Sequence, residues 1–115
     1  MAAQYRAFAK LYIGQAAEDN DCAFGAGLIA LLNGIQETGS LNRAAKDMHM
    51  AYSKAWKLMN SAEEQFGVKL IERDGARGSN LTEEGVRLVA AFNAVNQELT
   101  EYATRRLQEE LSKRQ

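Results

Sequence analysis

The chain has 115 residues, 46% of them hydrophobic and 25% charged, and its 14 Lys and Arg residues nearly balance its 15 Asp and Glu residues. This length and composition fit one soluble globular domain, with a single appended element at most. The lone cysteine excludes an internal disulfide framework and is typical of a reducing compartment. Neither a secretion signal nor an apolar run near the ~20 residues of a membrane-spanning helix is visible, so we expect a cytoplasmic protein with no membrane partner.

Positive charge is concentrated in the middle third of the chain. Residues 40–80 carry seven Lys and Arg against five Asp and Glu, a balance of +2, whereas residues 1–39 and 81–115 have balances of −2 and −1. Lys54 and Lys57 lie in a part of this third that has no acidic residue. A local basic face on a near-neutral chain is compatible with nucleic-acid binding but does not require it.

The first two predicted elements differ in the period of their apolar residues. Residues 5–13 alternate, which predicts a short strand whose one side is formed by Tyr5, Ala7, Ala9, Leu11 and Ile13. The next apolar residues recur at the spacing of an amphipathic helix: Leu28, Leu31, Leu32 and Ile35. Gly39 is placed to end that helix, and Ser40 is placed to cap the following one.

Two further helices follow, joined by a tight turn at His49 and Met50. The second helix is predicted from Leu41 to Met48 and the third from about Ala51 to Phe66. The apolar stripe of the second is formed by Leu41, Ala44, Ala45 and Met48. The inner stripe of the third consists of Ala55, Met59, Ala62 and Phe66, and its outer face shows Ser53, Lys54, Lys57 and Asn60.

A hairpin and a long helix complete the chain. Val68–Arg73 and Ser79–Leu81 are predicted as its two strands, separated by a glycine-rich turn. Thr82 then caps a final helix that has acidic residues in its first turn and continues to about Lys113.

This order of elements predicts a winged helix-turn-helix, in which the second helix of the motif enters the major groove of DNA. The expected fold class is mainly α with a small β-sheet (α+β). Residues 1–81 form the winged helix-turn-helix DNA-binding domain with its N-terminal strand. Residues 82–115 form the long C-terminal helix of the same structural domain.

The candidate DNA-binding residues are polar or basic side chains of the motif and its wing. They are Ser40, Arg43, Tyr52, Ser53, Lys54, Lys57, Asn60, Arg73, Arg77 and Ser79. Some of them have a simpler structural alternative. The two lysines can be an ordinary solvated face, and Tyr52 can pack beside Trp56. Arg73 can pair with an acidic neighbour, Glu72 or Asp74, whereas Arg77 lies between glycines with no adjacent acid.

Two stretches carry a family resemblance. The run LNGIQETGSL (residues 32–41) and the run AYSKAW (residues 51–56) resemble the N-terminal DNA-binding domain of ModE-type molybdate-responsive regulators. The run EEQFGVKLIER (residues 63–73), followed by LTEEG (residues 81–85), is similar to the winged-helix domain of LysR-type regulators. The resemblance covers about residues 6–100.

The resemblance implies that the long helix is a dimerisation element. The sequence independently shows an apolar stripe at coiled-coil spacing along it: Leu88, Phe92, Val95, Leu99 and Tyr102. ModE-type proteins add C-terminal oxyanion-binding domains, which have no counterpart after this helix. We therefore expect that this chain does not bind molybdate.

The sequence predicts a transcriptional regulator that binds double-stranded DNA as a homodimer, without enzymatic activity, cofactor or metal. The alternative is a winged-helix module that binds another protein instead of DNA. Two weaker signals would indicate other functions. His49 is a possible metal ligand, but no second His or Cys is spaced to share a metal with it. Gly25 and Gly27 match a dinucleotide-binding pattern only loosely, because they do not directly follow a strand.

Overall fold

The computed structural model describes residues 4–14, 24–73, 75 and 78–113 of the chain. Within these residues, four helices and a two-stranded antiparallel sheet follow in the order α1 (Ala26–Thr38), α2 (Leu41–Asp47), α3 (Tyr52–Phe66), β1 (Ile71–Arg73), β2 (Ser79–Leu81) and α4 (Glu83–Ser112). This order confirms the predicted winged helix-turn-helix, mostly helical with one small sheet.

Helix α1 is the centre of the core, because its apolar side chains meet all three other helices. The side chains of Leu31, Leu32 and Ile35 have no exposed surface. The helix ends at Gly39, whose φ of 74° lies in the left-handed region that favours glycine. Ser40 then caps α2, since its Oγ accepts a hydrogen bond from the backbone N–H of Arg43 at 3.0 Å. Both predicted boundaries are confirmed.

Small residues allow the helices of the motif to pack closely. A Cβ on Gly34 of α1 would lie 2.7 Å from the Cβ of Ala44 in α2, so only glycine fits at this crossing. The chain reverses between α2 and α3 at His49, which has a φ of 56°, and the N–H of Met50 bonds back to the carbonyl of Ala45 at 2.8 Å. Helix α3 buries the predicted inner residues Ala55, Met59 and Ala62 against this pair.

The hairpin is shorter than the sequence pattern predicted. Ser79–Leu81 forms β2 as expected, but β1 begins at Ile71 rather than at Val68. Where β1 begins, the backbone bonds to a side chain: the N–H groups of Leu70 and Ile71 both donate to Oε2 of Glu63, at 2.8 and 3.1 Å. A buried carboxylate on α3 therefore holds the start of the wing.

Helix α4 is the longest element, with 30 residues that span about 45 Å. Thr82 caps it by accepting the N–H of Gly85 at 3.0 Å, as predicted. Its first turns bury Gly85, Val89 and Phe92 in the core. Across the part of the chain that the structure describes, neither α4 nor any other helix combines the length and apolarity needed to cross a membrane.

The predicted N-terminal strand is wrong. Within residues 4–14 only Ile13 forms a β-bridge, to Phe24. The alternation has another cause, because this segment lies against α4: the N–H of Ala7 donates to Oγ1 of Thr104 at 3.0 Å, and Nε2 of Gln108 donates to the carbonyl of Tyr5 at 2.9 Å. One side of the segment is half-buried against its neighbours, although Tyr5, expected on that side, is exposed.

Replacing Glu63 with Ala should destabilise the protein by roughly 2–3 kcal/mol, because two backbone donors lose a charged acceptor. Glu64 is exposed, so Glu64→Ala is a matched control that should cost under about 0.5 kcal/mol. Urea unfolding at one fixed protein concentration measures both. Equal effects of the two substitutions would show that the carboxylate does not hold the wing.

Candidate nucleic-acid interface

The exposed face of α3 carries polar and basic side chains. Ser53, Lys54, Lys57 and Asn60 are all exposed, opposite the buried inner stripe of the helix. Neither lysine forms a salt bridge with any residue that the structure describes. Their positive charge is therefore not neutralised within the described part of the molecule and is available to an anionic partner.

Three side chains join the start of α3 to the wing, and we call them the Arg73 cluster: Tyr52, Trp56 and Arg73. The guanidinium carbon of Arg73 lies 4.3 Å from the centre of the Trp56 ring. Its Nη2 donates a hydrogen bond to the Tyr52 hydroxyl at 2.9 Å. The two rings meet edge to face, with centroids 6.3 Å apart and planes at 87°. The cluster combines a cation–π contact, a hydrogen bond and an aromatic pair.

This geometry excludes Glu72 as the partner of Arg73. Its partner is Tyr52 and not Glu72, while Asp74 lies outside the described residues, as does Arg77. For Arg43, the candidate on α2, Nε lies 3.8 Å from Oδ1 of Asp47, four residues later in the helix, and both side chains are well exposed. Such an exposed pair contributes little stability and does not prevent Arg43 from meeting another anion.

A cleft of about 420 Å³ separates the helix-turn-helix from the wing. It is lined by Ser40, Leu41, Asn42, Tyr52, Arg73, Gly75, Gly78 and Ser79. Ser40 uses its hydroxyl to cap α2. Ser79 is only 5% exposed, so it belongs to the packing of the wing. An exposed DNA contact by the Ser79 side chain, expected from the sequence, does not fit this burial.

The wing is held on the motif by a close backbone contact. The N–H of Ser79 donates to the carbonyl oxygen of Gly39 at 2.8 Å. A Cβ on Gly78 would lie 2.2 Å from that same oxygen, and Gly78 has a φ of 100°. Only glycine allows this approach. No local pattern in the sequence predicts this contact. Glu63 was not predicted as a functional residue either, although its place next to Ala62 on the inner side of α3 was a usable signal.

The predicted dimer stripe of α4 divides into two parts. Phe92 is 5% exposed and belongs to the domain core, which corrects its assignment to a free seam. Leu88 packs on the edge of that core and is half-buried, as is Leu99. Val95 and Tyr102 are 51% and 55% exposed. The exposed part of this predicted stripe therefore begins beyond the core, at Val95.

The last turns of α4 are held by ion pairs between neighbouring turns. Arg106 bonds to both Glu109 and Glu110, Arg105 pairs with Glu109, and Lys113 pairs with Glu110. Hydrogen bonds from Arg106 are the main cause that holds the pKa values of Glu109 and Glu110 below their ordinary value. Arg106 is half-buried and its partners are exposed, so the pairs support the helix locally rather than the fold.

A helix-turn-helix with an exposed basic helix, a hairpin wing seated beside it and a long following helix defines a winged-helix DNA-binding domain. Residues 27–86 match the family described as bacterial regulatory helix-turn-helix proteins, lysR family. This chain belongs to that family, which is one of regulators and not of enzymes.

Curated relatives include two molybdenum transport proteins named ModE. The one from Herbaspirillum seropedicae is 36% identical over 80 residues, which are 66% of this chain and 30% of the relative. The one from Azotobacter vinelandii is 36% identical over 88 residues, 73% of this chain and 32% of the relative. The chain thus spans about a third of the length of the curated relatives it matches.

Solved structures with the same fold include LysR-type DNA-binding domains. The crystal structure of the CbnR_DBD-DNA complex superposes with a TM-score of 0.59 at 25% identity, covering 74% of this chain and 95% of that one. The BenM_DBD/catB site 1 DNA complex gives a TM-score of 0.56 over 77% of this chain and 96% of that one. Its identity is 17%, so it shows the fold alone.

Replacing Gly78 with Ala should cost roughly 3 kcal/mol, because the new methyl group meets the fixed carbonyl of Gly39 and the backbone keeps a positive φ. Gly75→Ala is the matched control, since Gly75 also has a positive φ but open space at its Cβ, and it should cost only about 1 kcal/mol. Urea unfolding compares the two. If both cost the same, the wing is not seated through Gly39.

Proposed function

We propose that this chain binds double-stranded DNA sequence-specifically, as a homodimer, and regulates transcription. The observation that carries the proposal is the exposed face of α3, whose lysines have no acidic partner among the described residues. Family membership supports it, and the solved CbnR domain is described as a complex with DNA. Since a bacterial chromosome lies in the cytoplasm, the proposed site of action is cytoplasmic.

In the proposed complex, α3 enters the major groove, which is about 12 Å wide and distinguishes all base pairs by their donors and acceptors. Ser53, Lys54 and Lys57 are the proposed contacts to base edges and phosphates, with Asn60 further along the same face. Arg43 on α2 and Arg77 in the wing are proposed to contact the DNA backbone, which sets the position of the protein but carries little sequence information.

The homodimer is proposed from the apolar surface of α4. Val95 and Tyr102, seven residues apart and therefore on one side of α4, are both more than half exposed. A second copy of the same helix is the natural cover for such a surface, because a two-fold dimer buries the same patch on both subunits. Two α3 helices related by that axis would reach half-sites about one helical turn of DNA apart.

The alternative, a module that binds protein and not DNA, is separated from this proposal by a salt titration with random duplex DNA. A DNA-binding domain loses affinity steeply as salt rises, because counterions are released on binding. No binding at low salt would favour the protein-binding alternative. The expectation that this chain does not bind molybdate stays a prediction.

Replacing both Lys54 and Lys57 with Ala should weaken operator binding at least about tenfold, because each lysine contact to a base or phosphate is lost. Melting temperature and dimerisation should not change, since both side chains are exposed. Fluorescence anisotropy with a labelled operator measures the affinity.

The matched control for that variant removes two positive charges elsewhere, by Lys10→Ala with Lys113→Ala, and should change operator affinity by less than about threefold. Unchanged binding by the Lys54/Lys57 variant, with the parent protein binding, would mean that α3 does not read the DNA.

Replacing Val95 with Lys should convert the homodimer into a monomer, because a charge would enter the proposed interface on both subunits. The side chain is already half-exposed, so the fold should be kept. Asn93→Lys is the matched control, because it adds the same charge at an exposed position two residues away, on a different side of α4. Sedimentation equilibrium measures the mass. A native protein that is already monomeric at micromolar concentration would contradict the proposed dimer.

A further inference from the structure

We propose that Arg73 acts on DNA binding as a positioning residue for Tyr52, and that it commits the Tyr52 hydroxyl to donate a hydrogen bond to an acceptor atom on the DNA. The sequence alone suggested Tyr52 and Arg73 as two separate contacts. This inference rests on the proposed function, because it names a specificity-determining group within the same surface.

The direction of the hydrogen bond between the two residues follows from their chemistry. A guanidinium has only donors, so Arg73 must donate and the Tyr52 oxygen must accept. A phenol has one hydrogen and can donate or accept according to its surroundings. With one lone pair occupied by Arg73, the hydroxyl hydrogen of Tyr52 points to another group. The described residues supply no acceptor for it.

The position of Tyr52 places that hydrogen at the surface that would meet DNA. Tyr52 is the first residue of α3, it is 40% exposed, and it lines the cleft between the motif and the wing. In helix-turn-helix complexes the N-terminal residues of the second helix lie nearest the base edges. The unused donor is therefore at the end of the helix where base edges and phosphates lie.

Arg73 itself is less free to move to a phosphate. Its guanidinium carbon lies 4.3 Å from the centre of the Trp56 ring, and its Nη2 donates to the Tyr52 hydroxyl at 2.9 Å. Reaching outward would break both contacts. The wing that carries Arg73 is itself fixed, because Ser79 bonds to the carbonyl of Gly39. The contacts of the guanidinium thus favour holding Tyr52 over a direct contact.

The partner atom is a hydrogen-bond acceptor, and DNA offers it from two sources. A phosphate oxygen is one. The other is an acceptor in the major groove, such as N7 or O6 of guanine, N7 of adenine or O4 of thymine. The N4 group of cytosine is a donor, so a base contact by Tyr52 would disfavour cytosine at that position.

A double-mutant cycle tests the proposal, with operator affinity measured for the parent, Tyr52→Phe, Arg73→Met and the double variant. Tyr52→Phe keeps the ring on Trp56 and removes only the hydroxyl, and should weaken binding roughly tenfold. Arg73→Met should weaken binding to a similar extent alone, but by less than about threefold in the Tyr52→Phe background, because its effect passes through the hydroxyl.

Two further variants serve as controls for the cycle. Arg87→Met removes one positive charge at an exposed position of α4, and its effect on operator affinity measures how much the loss of any single positive charge weakens binding. Arg73→Lys keeps the charge but not the planar fork, and it replaces Arg73→Met in the cycle should the latter not fold, as judged by circular dichroism.

The outcomes separate the possibilities. Loss of the Arg73 effect in the Tyr52→Phe background supports the proposal. A full Arg73 effect in that background, with a salt slope reduced by about one, shows that Arg73 contacts phosphate directly and overturns it. Unchanged affinity of Tyr52→Phe also overturns it. If the parent protein itself binds no duplex at low salt, the proposed function has failed and this inference falls with it.

The same variants distinguish the two sources of the acceptor. If Tyr52 contacts a phosphate, Tyr52→Phe weakens binding to all duplexes by the same factor. If it contacts a base, the loss is confined to operators that keep the acceptor at one position, and substituting cytosine there abolishes the difference between parent and variant.

Discussion

The carbonyl oxygen of Gly39 is the point where the helix-turn-helix and the wing meet. Because Gly39 adopts a left-handed conformation, α1 ends sharply and Ser40 can cap α2 immediately afterwards. The same residue presents its carbonyl to the N–H of Ser79, and the approach is close enough that only glycine fits at position 78. This backbone contact joins β2 to the motif beside the cleft between them.

Helix α3 contacts β1 near both of its ends. Near its start, Tyr52 and Trp56 hold Arg73 at the end of β1. Near its end, Glu63 accepts the N–H groups of Leu70 and Ile71 where β1 begins. A helix held in this way loses little conformational freedom on binding, so less of the binding energy is used to order it. The polar side chains on its outer face are presented by a preformed scaffold.

Local signals in the sequence were sufficient for most of the fold. The apolar spacing of Leu28 to Ile35, together with the caps at Ser40 and Thr82, reports interactions within a few residues, and these predictions are confirmed. The N-terminal strand was wrong because a period of two reports only that one side of a segment is covered, and here the cover is α4 and not a neighbouring strand.

The site was predicted less completely than the fold, because its residues depend on contacts between distant parts of the chain. The exposure of Lys54 and Lys57 follows from the helical period of α3. The period of α4 could not separate Phe92, which the core covers, from Val95, which it leaves free. The pairing of Arg73 with Tyr52 spans 21 positions and had no local signal.

The contact of Ala7 with Thr104 joins residues 97 positions apart. Closing so long a loop costs more chain entropy than forming the contacts within the helix-turn-helix, whose partners are near in sequence. On a folding pathway, the motif and wing can therefore assemble before the first residues of the chain find α4. Residues 4–14 are then among the last of the described residues to reach their native position, because Thr104 is made 97 positions after Ala7.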